Sequence, residues 1–217
     1  MVRDRERERQ NVTRVLLVHD TNLLRTALAA FLGREPDLEV SAASWTGAAA
    51  AARAVRPDVS VVDMDGPEAG EGCGAVGAWG LGAGRGEGEE GGALLALASV
   101  GRPGPLRRAY EMGALGYLSK NASPDRLVEG IRHVAKGERY IDESLGFGFL
   151  QAAEIPLTRR ELSVLSLAAE GASVGEIARC LHLSNGTVRN YMASITRKTG
   201  ARNRVDAIRI SRGAGWV

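Results

Sequence analysis

Short apolar runs alternate with helical patterns over residues 12–136, and this alternation restricts the fold more than any other feature of the chain. Apolar residues recur at helical spacing over Leu23–Leu32, and an alanine-rich stretch covers Thr46–Val55. Repeated strand–helix units favour a parallel sheet with helices on both faces. We therefore predict an α/β domain with a five-stranded parallel sheet, whose polar strand ends meet at one edge. The predicted strands are Val12–Val18, Leu38–Ala43, Val59–Val62, Leu94–Ala98 and Leu115–Leu118.

A glycine-rich segment interrupts this pattern. Of the 27 residues from Gly66 to Gly92, 12 are glycine. A glycine costs about 1 kcal/mol relative to alanine inside a helix, so we expect a loop here in place of a helix. Further along, Ser123 and Pro124 favour the start of another helix, with serine as the N-cap and proline at the first helical position.

The sequence divides into regions of different character. Residues 1–11 alternate in charge and contain no apolar cluster, so we expect a disordered tail. Residues 12–136 are expected to form the α/β domain, with residues 66–92 as its glycine-rich loop. Residues 137–155 are predicted to be a linker, and residues 156–217 a second domain of four helices.

Helix-start signals define the second domain. Thr158 and Ser173 each precede a glutamate by three residues, which is the capping-box pattern. Ser184 and Asn203 are predicted to cap the third and fourth helices. The second and third helices then cover about 174–181 and 185–199, so that only three residues, 182–184, join them. Such a short junction is typical of a helix-turn-helix.

The predicted third helix carries the side chains that read DNA. Val188, Met192 and Ile195 share one face and are expected to pack inward. On the opposite face, arginine can bind guanine, asparagine can bind adenine, and an alanine methyl can contact thymine. The candidate base-reading residues are Arg189, Asn190, Ala193, Thr196 and Arg197. The candidate phosphate-binding residues are Ser184, Thr187, Lys198, Arg202 and Arg204.

The charge distribution supports a polyanionic partner for the second domain. Residues 1–155 contain 18 Lys and Arg against 22 Asp and Glu, whereas residues 156–217 contain 10 against 4. Positive charge concentrated on a small domain favours nucleic acid binding. The two cysteines, Cys73 and Cys180, form no metal-binding or disulfide pattern. With no signal peptide or apolar span in the sequence, we expect a cytoplasmic protein without membrane contact.

Motifs in the second domain carry a resemblance to a known family. The segments LTRRE, EIA, TVRNY and GARNRVDA, within residues 157–216, resemble the helix-turn-helix domain of the LuxR/NarL family. The resemblance implies a bacterial transcription regulator that binds double-stranded DNA as a dimer and acts on RNA polymerase. It also implies that the fourth helix, Val205–Arg212, supplies the dimer contact.

The α/β domain resembles the flavodoxin-like receiver domain of two-component response regulators, which a sensor kinase phosphorylates. Asp63 in VSVVDMDGP matches the phosphoacceptor. Lys120 in GYLSK matches the lysine that pairs with the phosphoryl oxygens, and Tyr117 matches the aromatic switch. The resemblance also implies a magnesium ion, which Asp20, Asp63 and the backbone carbonyl of Asp65 would bind weakly.

Two positions depart from the receiver pattern. His19 stands where receivers carry a second acid, and magnesium prefers oxygen ligands to an imidazole. Ala98 stands where a hydroxyl follows the phosphoryl group, and Ser99 would replace it only if the strand shifted by one residue. We therefore predict an atypical receiver with weak or no control by phosphorylation.

Two alternatives to a DNA-binding regulator that acts by itself remain at this point. The first is an interaction subunit that acts mainly as a heterodimer with a related regulator. A conventional phosphorylation-switched regulator is the second alternative. We do not expect an enzyme, because the glycines of 66–92 do not follow the phosphate-loop pattern and no nucleophile–base pair appears outside the receiver-like site.

Overall fold

The structure is a computed structural model that describes residues 12–66 and 92–217. The predicted disordered tail, 1–11, lies outside the described residues. So does the predicted glycine-rich loop, apart from its ends Gly66 and Gly92.

The N-terminal domain is built on a parallel sheet with the strand order β2-β1-β3-β4-β5-β6. The five predicted strands are confirmed to within one or two residues at each end. The sixth strand was not predicted, because it is two residues long and comes from the range expected to be a linker. The strands are β1 (Thr13–Val18), β2 (Leu38–Ala43), β3 (Val59–Asp63), β4 (Ala93–Ala98), β5 (Gly116–Ser119) and β6 (Tyr140–Ile141).

Helices cover both faces of the sheet, as predicted. On one face Leu32 and Ile131 pack against Leu17, and on the other Trp45 and Leu106 belong to a second core. Alternation of side chains along each strand explains why one sheet supplies two cores. The helices of this domain are α1 (Asn22–Leu32), α2 (Trp45–Val55), α3 (Pro103–Glu111) and α4 (Pro124–Ala135).

One of these helices differs from the sequence prediction, and the start of another agrees with it. Helix α3 was not predicted, since its first turn contains Pro103, Gly104 and Pro105. Prolines are compatible with a first turn, where the amide has no helical partner. Ser123 is the N-cap of α4 and Pro124 its first residue, as predicted, although the Ser123 side chain makes no capping hydrogen bond.

The range 137–155, predicted to be a linker, contains ordered elements that pack on the sheet domain. Strand β6 is followed by a 3₁₀ turn, Glu143–Leu145, and by helix α5 (Gly146–Ala153). Phe149 of α5 contacts the buried ring of Tyr117 edge-on, with ring centroids 4.9 Å apart. This segment therefore extends the first core.

The C-terminal domain has the predicted helices and caps. Both capping boxes form, because Thr158 and Ser173 accept from the third helical amide while the glutamate at that position accepts from the cap amide. Ser184 and Asn203 cap the third and fourth helices through their side chains. The helices are α6 (Arg159–Ala169), α7 (Val174–Cys180), α8 (Asn185–Thr199) and α9 (Arg204–Gly213).

Helix α3 joins the two domains. The amide of Gly104 donates to the carbonyl of Gly215 at 3.0 Å, and Arg107 donates to the carbonyl of Ile155 at 2.9 Å. A Cβ at position 104 would collide with the backbone of Trp216, so this approach requires glycine. The C-terminal domain thus contacts the sheet domain through its first and last residues. No helix in the part of the chain that the structure describes is long and apolar enough to cross a membrane.

Candidate functional site

Helix α8 is fixed at both ends and along its inner face. Ser184 accepts a hydrogen bond from the Thr187 amide at 3.0 Å, and Gly200 ends the helix at φ +67°. Val188, Met192 and Ile195 are buried in the core of the domain, as predicted. In the preceding junction His182 adopts φ +52°, a left-handed conformation that turns the chain sharply between α7 and α8.

The outer face of α8 is open. Arg189, Asn190, Ala193 and Arg197 are all exposed, and they share one side of the helix. Thr196 is half-buried, and its hydroxyl donates to the carbonyl of Met192 at 2.8 Å, so this side chain serves the helix itself. The exposed residues offer the donors, acceptors and methyl group that a DNA major groove recognises.

Three predicted phosphate-binding residues have partners within the domain. Lys198 lies 2.7 Å from Glu161, Arg202 lies 3.2 Å from Asp206, and Arg204 donates to two backbone carbonyls near the end of α6. These contacts were not apparent from the sequence. Arg202 keeps 83% of its side chain exposed, so it remains accessible to a polyanion.

Glu161 connects the first helix of this domain to α8. Its carboxylate accepts from the Thr158 amide at 2.7 Å, from Ser194 at 2.6 Å and from Lys198 at 2.7 Å. Burial opposes the charged form, but the hydrogen bonds from Lys198 and Ser194 outweigh it and lower the pKa of Glu161 to about 2. One buried carboxylate therefore links the start of α6 to two residues of α8.

The second candidate site lies at the carboxyl edge of the sheet. Parallel strands β1, β3 and β5 end at the same edge of the sheet, with β4 between β3 and β5, and His19, Asp63 and Lys120 come together there as predicted. The Lys120 ammonium pairs with Oδ1 of Asp63 and lies 3.0 Å from Oδ2 of Asp65. The Asp65 amide also donates to Oδ1 of Asp63 at 2.9 Å.

His19 faces the other oxygen of Asp63. Its Nδ1 accepts from the Thr21 amide at 3.1 Å, which places the ring proton on Nε2, 3.3 Å from Oδ2 of Asp63. Burial lowers the pKa of His19 in spite of the nearby carboxylate, so the ring is neutral at neutral pH. Both oxygens of Asp63 therefore face groups of this chain that carry a proton.

Ser99 does not take the place of the hydroxyl that is missing at Ala98. Ala98 is fully buried at the end of β4, and the strand is not shifted. Ser99 follows the strand and donates its amide and its hydroxyl to Oδ2 of Asp65, at 2.9 and 2.6 Å. The hydroxyl thus binds Asp65 rather than the position beside Asp63 where a phosphoryl group would stand.

The predicted magnesium ligands stay a prediction, because Oδ2 of Asp20 is buried without a hydrogen-bond partner whereas both oxygens of Asp63 face Lys120 or His19. Within residues 12–66 and 92–217, no three His, Cys, Asp or Glu side chains form a group that could hold a metal. Lys120 and His19 take the oxygens of Asp63, and Oδ1 of Asp20 accepts from the Trp45 amide at 2.9 Å. A cationic lysine directly on the carboxylate disfavours a second cation there.

Comparison with known proteins defines the family. The model for "Bacterial regulatory proteins, luxR family" matches residues 155–211. RamR of Streptomyces coelicolor, a response regulator, is 48% identical over 210 residues, which are 95% of this chain and 98% of RamR. The chain belongs to the luxR family of response regulators. DesR of Bacillus subtilis, a transcriptional regulatory protein, is 34% identical over 93% of this chain and 98% of its own length.

Solved response regulators share the fold. RcsB from Salmonella typhimurium superposes with a TM-score of 0.70 at 21% identity, over 94% of this chain and 98% of that one. RcsB bound to the promoter rprA superposes with a TM-score of 0.68 at 18% identity, over 92% and 98%. The chain is accordingly a DNA-binding transcription regulator whose named relatives are regulators rather than enzymes.

Several residues of the two sites were not identified from the sequence. Glu161 was assigned only a capping role, although Lys198 lies on the next-but-one helix. Ser99 and Arg102, which lie beside Asp65, were also not assigned to the site. The spacing of Arg107 and Glu111, an i,i+4 ion pair, is the one signal that would have indicated helix α3.

The carboxylate of Glu161 makes the stability of the luxR-type domain depend on pH. Its folded pKa of about 2 lies below the ordinary value of 4.5, so its contribution is complete above the ordinary value and is lost as the pH falls toward 2. We expect Glu161→Gln to lower the free energy of unfolding at neutral pH. The variant should also lose less stability than the wild type in acid.

Urea unfolding of both proteins between about pH 6 and about pH 2 measures this difference. The control is Glu154→Gln, since Glu154 is exposed at the end of α5. It should follow the wild-type pH curve. Parallel curves for Glu161→Gln and the wild type would show that Glu161 has no special role.

Proposed function

We propose that this chain binds specific double-stranded DNA sites as a dimer through α8, and that its binding depends weakly or not at all on phosphorylation of Asp63. The observation that carries the proposal is the exposed face formed by Arg189, Asn190 and Ala193. The excess of cations over acids in residues 156–217, 10 against 4, supplies the attraction to phosphates.

The arrangement of the two domains supports binding without a switch. The receiver contacts the C-terminal domain through α3, at Gly215, Ile155 and Arg159. None of these contacts lies on α8, and the base-reading side chains are exposed while the receiver is docked. Release of the receiver is therefore not needed to uncover α8.

The receiver pocket supports the second part of the proposal. A phosphoryl group on Asp63 would have to displace His19 or Lys120 from the carboxylate, without a hydroxyl at Ala98 to follow it. Two acids of the pocket, Asp63 and Asp65, both contact the Lys120 ammonium, which holds them without a phosphoryl group. Phosphorylation therefore has few partners through which to change the fold.

Helix α9 is the proposed dimer contact. Val205 is 75% exposed on this helix, although it is a large apolar residue, and Ile208 is only half-buried. An exposed apolar residue on a short helix is a suitable centre for a two-fold interface. RcsB, for comparison, has been solved as two dimers bound to two parallel DNAs. We further propose that the dimer acts on RNA polymerase in the cytoplasm.

Arg189 tests the assignment of the base-reading face. Arg189→Ala is expected to weaken binding to the specific site by about 1–3 kcal/mol and to relax preference at one base pair. Arg202→Ala, which changes an exposed phosphate contact, should weaken specific and non-specific DNA alike. Fluorescence anisotropy with specific and non-specific DNA, at one salt concentration, gives the ratio of the two affinities. An unchanged ratio for Arg189→Ala would contradict the assignment.

Asp63 tests the independence from phosphorylation. Asp63→Ala is expected to leave DNA affinity and transcription in the cell close to wild type, because no phosphoryl signal passes through the pocket. His19→Asp is expected to raise labelling by acetyl phosphate, measured by intact mass, since it restores a second acid. Loss of regulation in Asp63→Ala, with the protein at normal levels, would return the chain to the phosphorylation-switched regulators. Binding only with a second regulator present would identify a heterodimer subunit.

A further inference from the structure

A cleft of about 480 Å³ lies between the receiver and the luxR-type domain. On the receiver side it is lined by the residues that follow β3 and by the start of α3. On the other side it is lined by the ends of α6 and α9 and by the last residues of the chain. This volume suits a small molecule, and pockets at the junction of two domains commonly bind ligands.

Arginines from both domains line this cleft. Arg102 and Arg108 come from the receiver, and Arg212 comes from α9. Arg108 donates to the carbonyl of Met64, and Arg212 donates to the carbonyl of Ala169, so both guanidinium groups are held in place. A guanidinium group presents several donors in one plane, which match the oxygens of a carboxylate or a phosphate.

Asp65 supplies an independent sign of a ligand. Its side chain is 7% exposed, and Ser99 binds Oδ2 through two hydrogen bonds. Oδ1 is buried without a hydrogen-bond partner and lies 3.9 Å from Arg102, another residue of the cleft. Buried carboxylate oxygens are nearly always hydrogen-bonded, because an unmade bond there costs free energy. A donor on a bound molecule would satisfy this oxygen.

We propose that the cleft binds a small polar anion, namely a carboxylate or phosphate ester that also carries a hydroxyl or amino group. Arg102 and Arg212 bind the anionic group, and Oδ1 of Asp65 accepts from the hydroxyl or amine. The ligand contacts both domains, so it stabilises their docked arrangement. Asp65 also contacts Lys120, which links the cleft to the receiver pocket without any phosphoryl transfer.

Calorimetric titration of the full chain, without DNA, tests this proposal. Three probes separate the parts of the recognition: glycerol 3-phosphate carries the anion and hydroxyls, inorganic phosphate carries the anion alone, and glycerol carries hydroxyls alone. We expect saturable one-to-one binding of glycerol 3-phosphate, about tenfold tighter than inorganic phosphate, and no saturation with glycerol. Absence of saturable binding by both anions would overturn the proposal.

Variants locate the bound anion. Arg102→Gln and Arg212→Gln, one in each domain, should each weaken glycerol 3-phosphate binding by about tenfold or more. Arg179→Gln is the matched control, because Arg179 is exposed on α7 and does not line the cleft. It should bind as the wild type does.

Two results would overturn the assignment to the cleft. One is unchanged binding in Arg102→Gln and Arg212→Gln. The other is loss of binding in Lys120→Gln with full binding in Arg212→Gln, which would place the anion in the receiver pocket. Thermal melts of each variant verify the fold. Because the titration contains no DNA, its outcome is separate from that of the DNA-binding proposal.

Discussion

The buried carboxylate of Asp63 is the group on which the account of the receiver depends. Its side chain is 7% exposed, and a charge at such a site must be paired within the fold. In this chain the pairing comes from Lys120, from the Asp65 amide and from the neutral ring of His19. Because β1, β3 and β5 are parallel, their ends bring these groups to one edge of the sheet without further constraint.

Glu161 has a comparable role in the C-terminal domain. It combines a helix cap with contacts to Ser194 and Lys198, so one carboxylate sets both the start of α6 and the position of α8. The inner face of α8 is fixed by buried apolar residues such as Val188 and Ile195, and its outer face is left exposed. The two domains therefore hold their functional groups by the same means, a buried acid with several donors.

Local signals predicted a large part of this structure. The bounds of β2 and α8 were predicted to the residue, because alternating or periodic apolar residues and capping side chains define such elements within the chain itself. Helix α3 and strand β6 were not predicted, because the prolines at the start of α3 and the two-residue length of β6 leave no apolar periodicity to recognise. The predicted sheet of five strands therefore lacked β6.

Side-chain partners across the fold were harder to predict. The residues gathered at the sheet edge followed from topology, but the bond from Ser99 to Asp65 depends on how the chain turns after β4. Likewise, Lys198 was assigned to phosphates, because the sequence does not show that α6 brings Glu161 within 2.7 Å of it. Arg189 is exposed on α8, and its role in base reading stays a prediction.

The claim that DNA binding needs no phosphoryl switch is tested most directly by comparing the unphosphorylated full chain with residues 156–217 alone. Residues 156–217 include every buried residue of this domain's core except Ile155. They also include the N-cap residues of all four helices. Affinity for the same specific DNA would be measured for both by fluorescence anisotropy at equal salt. The account predicts that the full chain binds at least as tightly as the isolated domain, because the docked receiver leaves α8 exposed. Binding by the isolated domain that is about tenfold tighter or more would contradict it, since the receiver would then obstruct α8.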